Sequence, residues 1–399
     1  MKYIVMLGDG MADDSIEALG GRTPLEAAKK PNIDRLAKGG RLGMVRTVPA
    51  GFKPGSDVAN LSAMGYDPVV CYTGRSPLEA VSIGIQMSDT DVAFRCNVVT
   101  LSDEPDYEDK TMVDYSAGEI STAEAAELIK AVEDALGSAE RKFYPGISYR
   151  HCMIWHEGPC GLSLTPPHDI SDRKIREYLP GNPVILDLMK RSYEILKNHP
   201  INQARMAKGL NPANSIWLWG EGTKPGVTSF ETMHGVKASV ISAVDLIKGI
   251  GLCAGMKVIE VEGATGNIDT NFDGKGQAAL QTLLEGQDLV YIHVEAPDEC
   301  GHHGDLEGKV RSIELIDEKI VGPLLAGLEA AGEDYSILVM PDHPTPIAMK
   351  THVSDPVPFL LYRSTELQDS GISTYTEETA KGTGVFLEHG YELMKTLIR

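Results

Sequence analysis

Short apolar runs recur near both ends of the chain. Residues 3–7, 289–294 and 335–340 each read as a buried strand, because five or six apolar residues are too few for a buried helix. Each run stops at polar residues. Gly8-Asp9-Gly10 follows the first, Asp298 and His302-His303 follow the second, and Asp342-His343 follows the third, with His352 downstream. Open α/β sheets carry their ligand sites beyond the C-terminal ends of the strands. The three runs thus predict carboxylates and imidazoles gathered at one sheet edge, a donor mix that suits zinc or manganese. A two-metal site built from distant pieces of chain is the expectation.

Elsewhere the pattern changes period. Thr23 as N-cap and Pro24 at the first position open a helix, and residues 31–37 form a second that ends at Gly39-Gly40. A loop rich in Pro and Gly (49–57) then leads to Ser56 at the mouth of a third helix. Free N–H groups at such a junction make a phosphate cradle. From about Gly65 to Lys224 short strands (93–100, 149–155) mix with amphipathic helices (122–136, 185–197), and the metal-type clusters are missing. This stretch reads as an inserted cap. A βα rhythm resumes from Val236, with helices expected at 238–250, 277–284, 305–331 (broken near Gly322-Pro323) and 384–398, and strands at 257–261 and 358–362. The expected fold is α/β: a core from residues 1–64 and 225–399, with helices on both faces of its sheet, plus an inserted α+β cap domain over 65–224.

Composition narrows the function. The net charge of −20, from 37 basic and 57 acidic residues, argues against nucleic acid or an anionic membrane as partner. A small anionic substrate stays compatible, since metals and local arginines can invert the field in one cleft. Arg75, Arg95 and Arg150 stand in or beside apolar runs, where an arginine is either a surface residue or an anion clamp. His168-Asp169 sits in a cap loop. His293, inside a strand, reads as a satisfied core histidine. The six cysteines are scattered without a C-x-x-C pair and read as reduced thiols. With no signal-peptide pattern and no span of about 18 apolar residues, a cytoplasmic protein is expected. Asp269 to Gly274 mimics the opening of an EF-hand loop, but Leu280 stands where the bidentate acid belongs.

The order Gly8-Asp9-Gly10, Thr23-Pro24, Pro31 to Ala37, loop serine, Asp-x-x-x-His, Asp-His and a late His resembles the alkaline phosphatase superfamily. Pro54-Gly55-Ser56-Asp57, Gly65-Tyr66-Asp67-Pro68, Tyr72-Thr73-Gly74-Arg75 and Asp91 to Asn97 resemble its archaeal-type cofactor-independent phosphoglycerate mutases along the whole chain. The resemblance implies an alkaline-phosphatase-like core sheet, two divalent ions (manganese or zinc, with magnesium or cobalt as alternatives) and interconversion of 3- and 2-phosphoglycerate. Ser56 would be the nucleophile that becomes phosphoserine. It would surround one ion with Asp9, Asp342 and His343, while Asp298, His302 and His352 would hold the other. Arg75, Arg95, Arg150, His168, Asp169 and Lys237 are the candidates for contact with the small phosphorylated substrate. Residues 113–119 depart from the archaeal pattern, reading acid, aromatic and serine where that group carries arginines. With Ser76, this resembles a bacterial branch proposed to phosphorylate homoserine. A silent metal-binding module is the alternative outside catalysis.

A closing cap would hinge where the domains exchange, near Gly65 and residues 222–226. Small-angle scattering should then show a contracted envelope on adding substrate, and identical envelopes would remove closure from the picture.

Overall fold

The apolar runs from the two ends of the chain fold into one sheet. In the computed structural model, which describes residues 1–366 and 368–399, the chain divides into two compact units. One comprises Met1–Tyr72 and Gly226–Arg399, the other Thr73–Pro225. The first opens with β1 (Lys2–Gly8) and β2 (Arg41–Val45). The second carries β3 (Asp91–Leu101), β4 (Met112–Asp114), β5 (Arg141–Tyr144), β6 (Arg150–His156) and β7 (Ser215–Thr223). The chain then returns to the first unit for β8 (Ala238–Ile241), β9 (Lys257–Val258), β10 (Leu289–Val294), β11 (Tyr335–Met340), β12 (Val357–Arg363) and β13 (Phe386–Leu387).

Strand order in the first unit is β13-β2-β12-β11-β1-β10-β8-β9. β1 runs parallel to both neighbours, with Gly8 level with Val294 and Leu7 level with Met340. Three adjacent strands therefore end together, and Asp9, Asp298 and Asp342 follow from that edge. Ile4, Met6, Val290, Ile292, Ile337 and Val339 join a core with Leu25, Ile33 and Ile313. The alternate residues Val5, Leu7, Tyr291 and Leu338 are also fully buried, so helices cover both faces. Tyr291 donates a hydrogen bond to Asn60 of helix Ser56–Ala63, which fixes that helix on the second face.

Several local expectations change. Residues 238–250 are β8 followed by helix Asp245–Cys253. Ala238-Ser239-Val240-Ile241 is too short to show a period, and parallel pairing with β10 makes it a strand. In 384–398 only Glu392–Ile398 is helical. Gly390 lies against Ser62 and the Arg46 carbonyl, where a Cβ would come within 2.5 Å of Ser62 Oγ, so the backbone there serves close approach. Gly65 is not the crossing point between units. Its left-handed φ of 91° turns the chain after helix Ser56–Ala63, against Met394.

Leu306–Leu315 and Gly322–Ala330 are joined by a π-helical turn, Ile316–Val321. Pro323 has no N–H for the Lys319 carbonyl, and that carbonyl turns toward the bare face of Gly276 instead. The wide turn aims buried Asp317 at helix Pro31–Gly39, whose own N-cap residue, Lys30, makes no side-chain cap. Asp317 accepts from Ile33 N at 2.7 Å, Asn32 N at 3.3 Å and Asn32 Nδ2 at 2.9 Å.

The second unit is a five-stranded sheet in which β3 pairs antiparallel with β4, β6 and β7. Val92, Phe94, Cys96 and Val98 alternate onto one face, in a core with residues of helices Thr122–Leu136 and Pro183–Leu196. Arg95 and Asn97 alternate onto the other. Among the described residues no helix is long and apolar enough to cross a membrane.

Asp317→Ala removes a buried cap from helix Pro31–Gly39 and should cost about 1–3 kcal/mol. Urea unfolding monitored by circular dichroism measures it, and an unchanged midpoint would show that the cap contributes nothing.

Candidate metal centre

Asp9 leaves β1 with its N–H still on the Val294 carbonyl, so its carboxylate is held at the strand end. Gly10 follows at φ 61°, and a Cβ there would lie 2.6 Å from Asp298 Oδ1 and Thr345 Oγ1. Only glycine lets these loops close together. Its N–H donates to Asp342 Oδ1 at 3.1 Å, and His343 N donates to the same oxygen at 2.9 Å. Asp342 Oδ2 accepts from Asn60 Nδ2 at 2.8 Å. Asn60 also holds the Ser56 carbonyl from one turn along the helix, which ties the serine to the aspartate. Ser56 Oγ lies 3.2 Å from His343 Nε2, which in turn is 3.6 Å from Asp9 Oδ1.

The second cluster sits on helix Ala296–His303 and the loop after β11. His302 Nε2 is 3.2 Å from Asp298 Oδ2 and 2.9 Å from His352 Nε2, which lies 3.4 Å from Asp298 Oδ1. His302 Nδ1 donates to the Lys350 carbonyl at 3.0 Å, so in the uncharged ring the lone pair is on Nε2 and faces the cluster. Thr345 hydrogen-bonds the Asp298 carboxylate. Ligand atoms of Asp9, Asp342 and His343 lie within 4.8 Å of one another, as do those of Asp298, His343 and His352. His343 therefore adjoins both groups, not only the first.

Charge explains what the arrangement needs. Asp9, Asp298 and Asp342 are all at most 4% exposed. Burial and then the charges of Asp342 and Asp298 push the Asp9 carboxyl well up. Asp9 Oδ1 is buried without a hydrogen-bond partner. Burial also pushes Asp298 up, but hydrogen bonds from His302 and His352 outweigh it and hold the carboxyl far below its usual range. Burial lowers His343 and takes His293 down to about 4, keeping both rings uncharged. Crowded carboxylates, neutral imidazoles and one orphaned oxygen fit divalent cations.

The structure thus brings Asp9, Ser56, Asp298, His302, Asp342, His343 and His352 together. Lys237 does not join them. It precedes β8, and its N–H bonds Asp288 at the head of β10, the opposite end of parallel strands from Asp9. His303 is exposed, and Cys300 points at Gly308.

In the second unit, Arg95 stacks on Trp219 at 4.2 Å and pairs with Glu79 at 2.9 Å, and Arg75 holds the other Glu79 oxygen at 2.7 Å. His168 meets the edges of Trp219 and Tyr115, with Asp169 3.6 Å away. Arg150 lies over Tyr149, which contacts Tyr115. Burial lowers Arg95, Glu79 opposes this, and Arg75 and Arg150 add to it. The three arginines and His168 therefore share one neighbourhood.

Sequence reasoning missed Asn60, Ser242 and Thr345 as supports, and read His293 as core alone. Asn60 carried a signal, since four residues after Ser56 is the same helix face.

A family model described as 2,3-bisphosphoglycerate-independent phosphoglycerate mutase matches residues 37–202. A Geobacter sulfurreducens protein named "Probable 2,3-bisphosphoglycerate-independent phosphoglycerate mutase" is 53% identical over 401 residues, covering 100% of both chains. The chain belongs to the 2,3-bisphosphoglycerate-independent phosphoglycerate mutases. Among solved structures, a Pyrococcus horikoshii protein aligns with a TM-score of 0.83 at 30% identity, over 100% of this chain and 96% of its own. The cofactor-independent phosphoglycerate mutase of Thermoplasma acidophilum aligns at 0.70 and 25% identity, over 100% and 99%. The family is metal-dependent, in keeping with the donor set of this mutase.

The hydrogen bond to Asp298, then its charge, raises His302 to about 9 against the opposing effect of burial. In metal-free protein the protonated ring stabilises the fold fully below its ordinary 6.5, and this is lost as pH rises through about 9. A cation taken up at Nε2 would require that atom unprotonated. Manganese affinity should thus climb up to about pH 9, by about tenfold per unit. Calorimetric titrations across this range test it, and a flat affinity contradicts it.

Proposed function

We propose that the chain interconverts 3-phosphoglycerate and 2-phosphoglycerate without 2,3-bisphosphoglycerate, using Ser56 as the phosphoryl carrier. The observation that carries the reading is the Ser56 hydroxyl at the start of its helix, 3.2 Å from His343 and tied through Asn60 to Asp342. Asp9, Ser56, Asp342 and His343 hold one divalent ion, and Asp298, His302 and His352 hold the other. Manganese or zinc fits this mixture of carboxylate and imidazole, with magnesium and cobalt as alternatives. Bound there, the ions supply positive charge that lowers the pKa of the serine hydroxyl and screens the phosphate oxygens.

Ser56 Oγ forms a bond to phosphorus as the bond from phosphorus to the C3 oxygen of the glycerate breaks. The C2 hydroxyl then takes the phosphoryl group from Ser56, whose oxygen leaves as the same oxyanion that attacked, kept deprotonated by its lowered pKa. Asn60 keeps Ser56 and Asp342 in fixed register throughout. Arg75, Arg95 and Arg150 bind the anionic groups of the substrate, and their shared neighbourhood with His168 supports this role. The leaving C3 oxygen must gain a proton and the attacking C2 hydroxyl must lose one. His168 carries that proton, with Asp169 beside it. The core unit binds metal and the Thr73–Pro225 unit binds substrate. The enzyme works in the cytoplasm, with neither nucleic acid nor membrane as partner.

Phosphorus NMR of 3-phosphoglycerate with manganese-loaded protein, without added bisphosphoglycerate, should show 2-phosphoglycerate growing in. Ser56→Ala should lower kcat by about 10⁴-fold or more, the scale of losing a nucleophile. Full activity in that variant would overturn the phosphoserine route, and an unchanged wild-type spectrum would overturn the substrate.

A further inference from the structure

His293 is completely buried in β10, yet each polar atom of its ring has a partner. Ser242 follows β8, and Ile241 pairs with Ile292, so the serine comes alongside His293. Val244 N donates to Ser242 Oγ at 3.0 Å. The hydroxyl proton is then free to go to His293 Nδ1, 3.1 Å away. A ring that accepts at Nδ1 carries its own proton on Nε2, and Nε2 lies 2.9 Å from Asp9 Oδ2. That bond occupies one oxygen of Asp9 and leaves the other, Oδ1, as the buried atom without a partner. The backbone of His293 is held as well, because buried Lys275 donates to its carbonyl at 3.3 Å. With the opposite tautomer, the Nε2 lone pair would face a carboxylate oxygen and repel it.

We propose that Ser242 and His293 are positioning residues that hold Asp9 by Oδ2 and aim Oδ1 at the cation, so that metal affinity depends on the Nε2 proton of His293. The inference rests on the reading of Asp9 as a metal ligand. It assigns His293 no contact with metal or substrate. The ring orients a carboxylate that the neighbouring charges of Asp342 and Asp298 would otherwise displace, and it does so by donation and not by bulk. A side chain of similar size without the donor therefore fails, whereas glutamine, whose Nε2 reaches a comparable point, restores the function.

The test is manganese affinity of the full chain after chelator treatment, read by calorimetry and by electron paramagnetic resonance of free manganese. Melting of each metal-free variant is followed in parallel. His293→Phe should bind manganese 10–100-fold more weakly, the usual range for loss of a ligand's hydrogen-bond partner. His293→Gln should recover most of that loss. Wild-type affinity in His293→Phe, or a glutamine variant no better than phenylalanine, overturns the proposal. Should His293→Phe fail to fold, Ser242→Ala decides. Weaker binding at an unchanged metal-free melting temperature supports the pair, and unchanged binding overturns it. Asp9→Asn separates the two readings. If the wild type binds manganese no better than Asp9→Asn, the ligand role of Asp9 fails. If Asp9→Asn loses the metal while the His293 and Ser242 variants keep it, only the positioning role fails.

Discussion

Three aspartates share one buried pocket, and their mutual repulsion is the constraint the core is built around. Asp9, Asp298 and Asp342 come from the ends of three neighbouring parallel strands, so the sheet brings like charges together where water is scarce. Desolvation and repulsion both oppose this in the absence of cations. The fold must therefore grip each carboxylate while leaving room for positive charge.

It does so with donors that do not compete for the centre. Asp342 takes N–H groups from Gly10, His343 and Asn60, Asp298 takes the Thr345 hydroxyl, and Asp9 takes His293. One layer further out, buried Lys309 bonds Asp13 at 2.7 Å and the Thr345 carbonyl at 2.8 Å, joining the loop after β1 to the loop after β11. Its ammonium also reaches the Ala12 carbonyl, so all three donors are used. Lys350 adopts a left-handed φ of 53° in the same stretch of chain that aims its carbonyl at His302. Backbone strain of this kind concentrates where geometry is functionally constrained.

The parts legible in sequence were those written as local pattern. The strands ending at Asp9, Asp298 and Asp342 were visible because a buried parallel strand is a continuous apolar run. The helix 122–136 was visible because its apolar face repeats at helical spacing. Two kinds of feature were hidden. Residues 238–241 looked helical because their strand character comes from pairing with β10, which no window on the sequence contains. Asn60, Ser242 and His293 matter through partners 51 to 284 residues away. A polar residue within an apolar run announces that it needs partners, without saying which ones.

The discontinuity of the core has a consequence for how the chain is made. Lys2 and Gln287 hydrogen-bond across 285 residues, and β1 lies between two strands that are both synthesised late. The Thr73–Pro225 unit draws its strands from one continuous stretch and is complete long before β10 exists. At about 5–20 residues per second, β1 waits on the order of 15–60 s for its neighbours. For the last part of that interval, once Pro225 has been made, the nascent chain is a finished inner domain bearing an unpaired apolar strand on its N-terminal arm. A strand of that kind is a target for chaperones or for the wrong sheet, so the centre is assembled last, by the segments that leave the ribosome last.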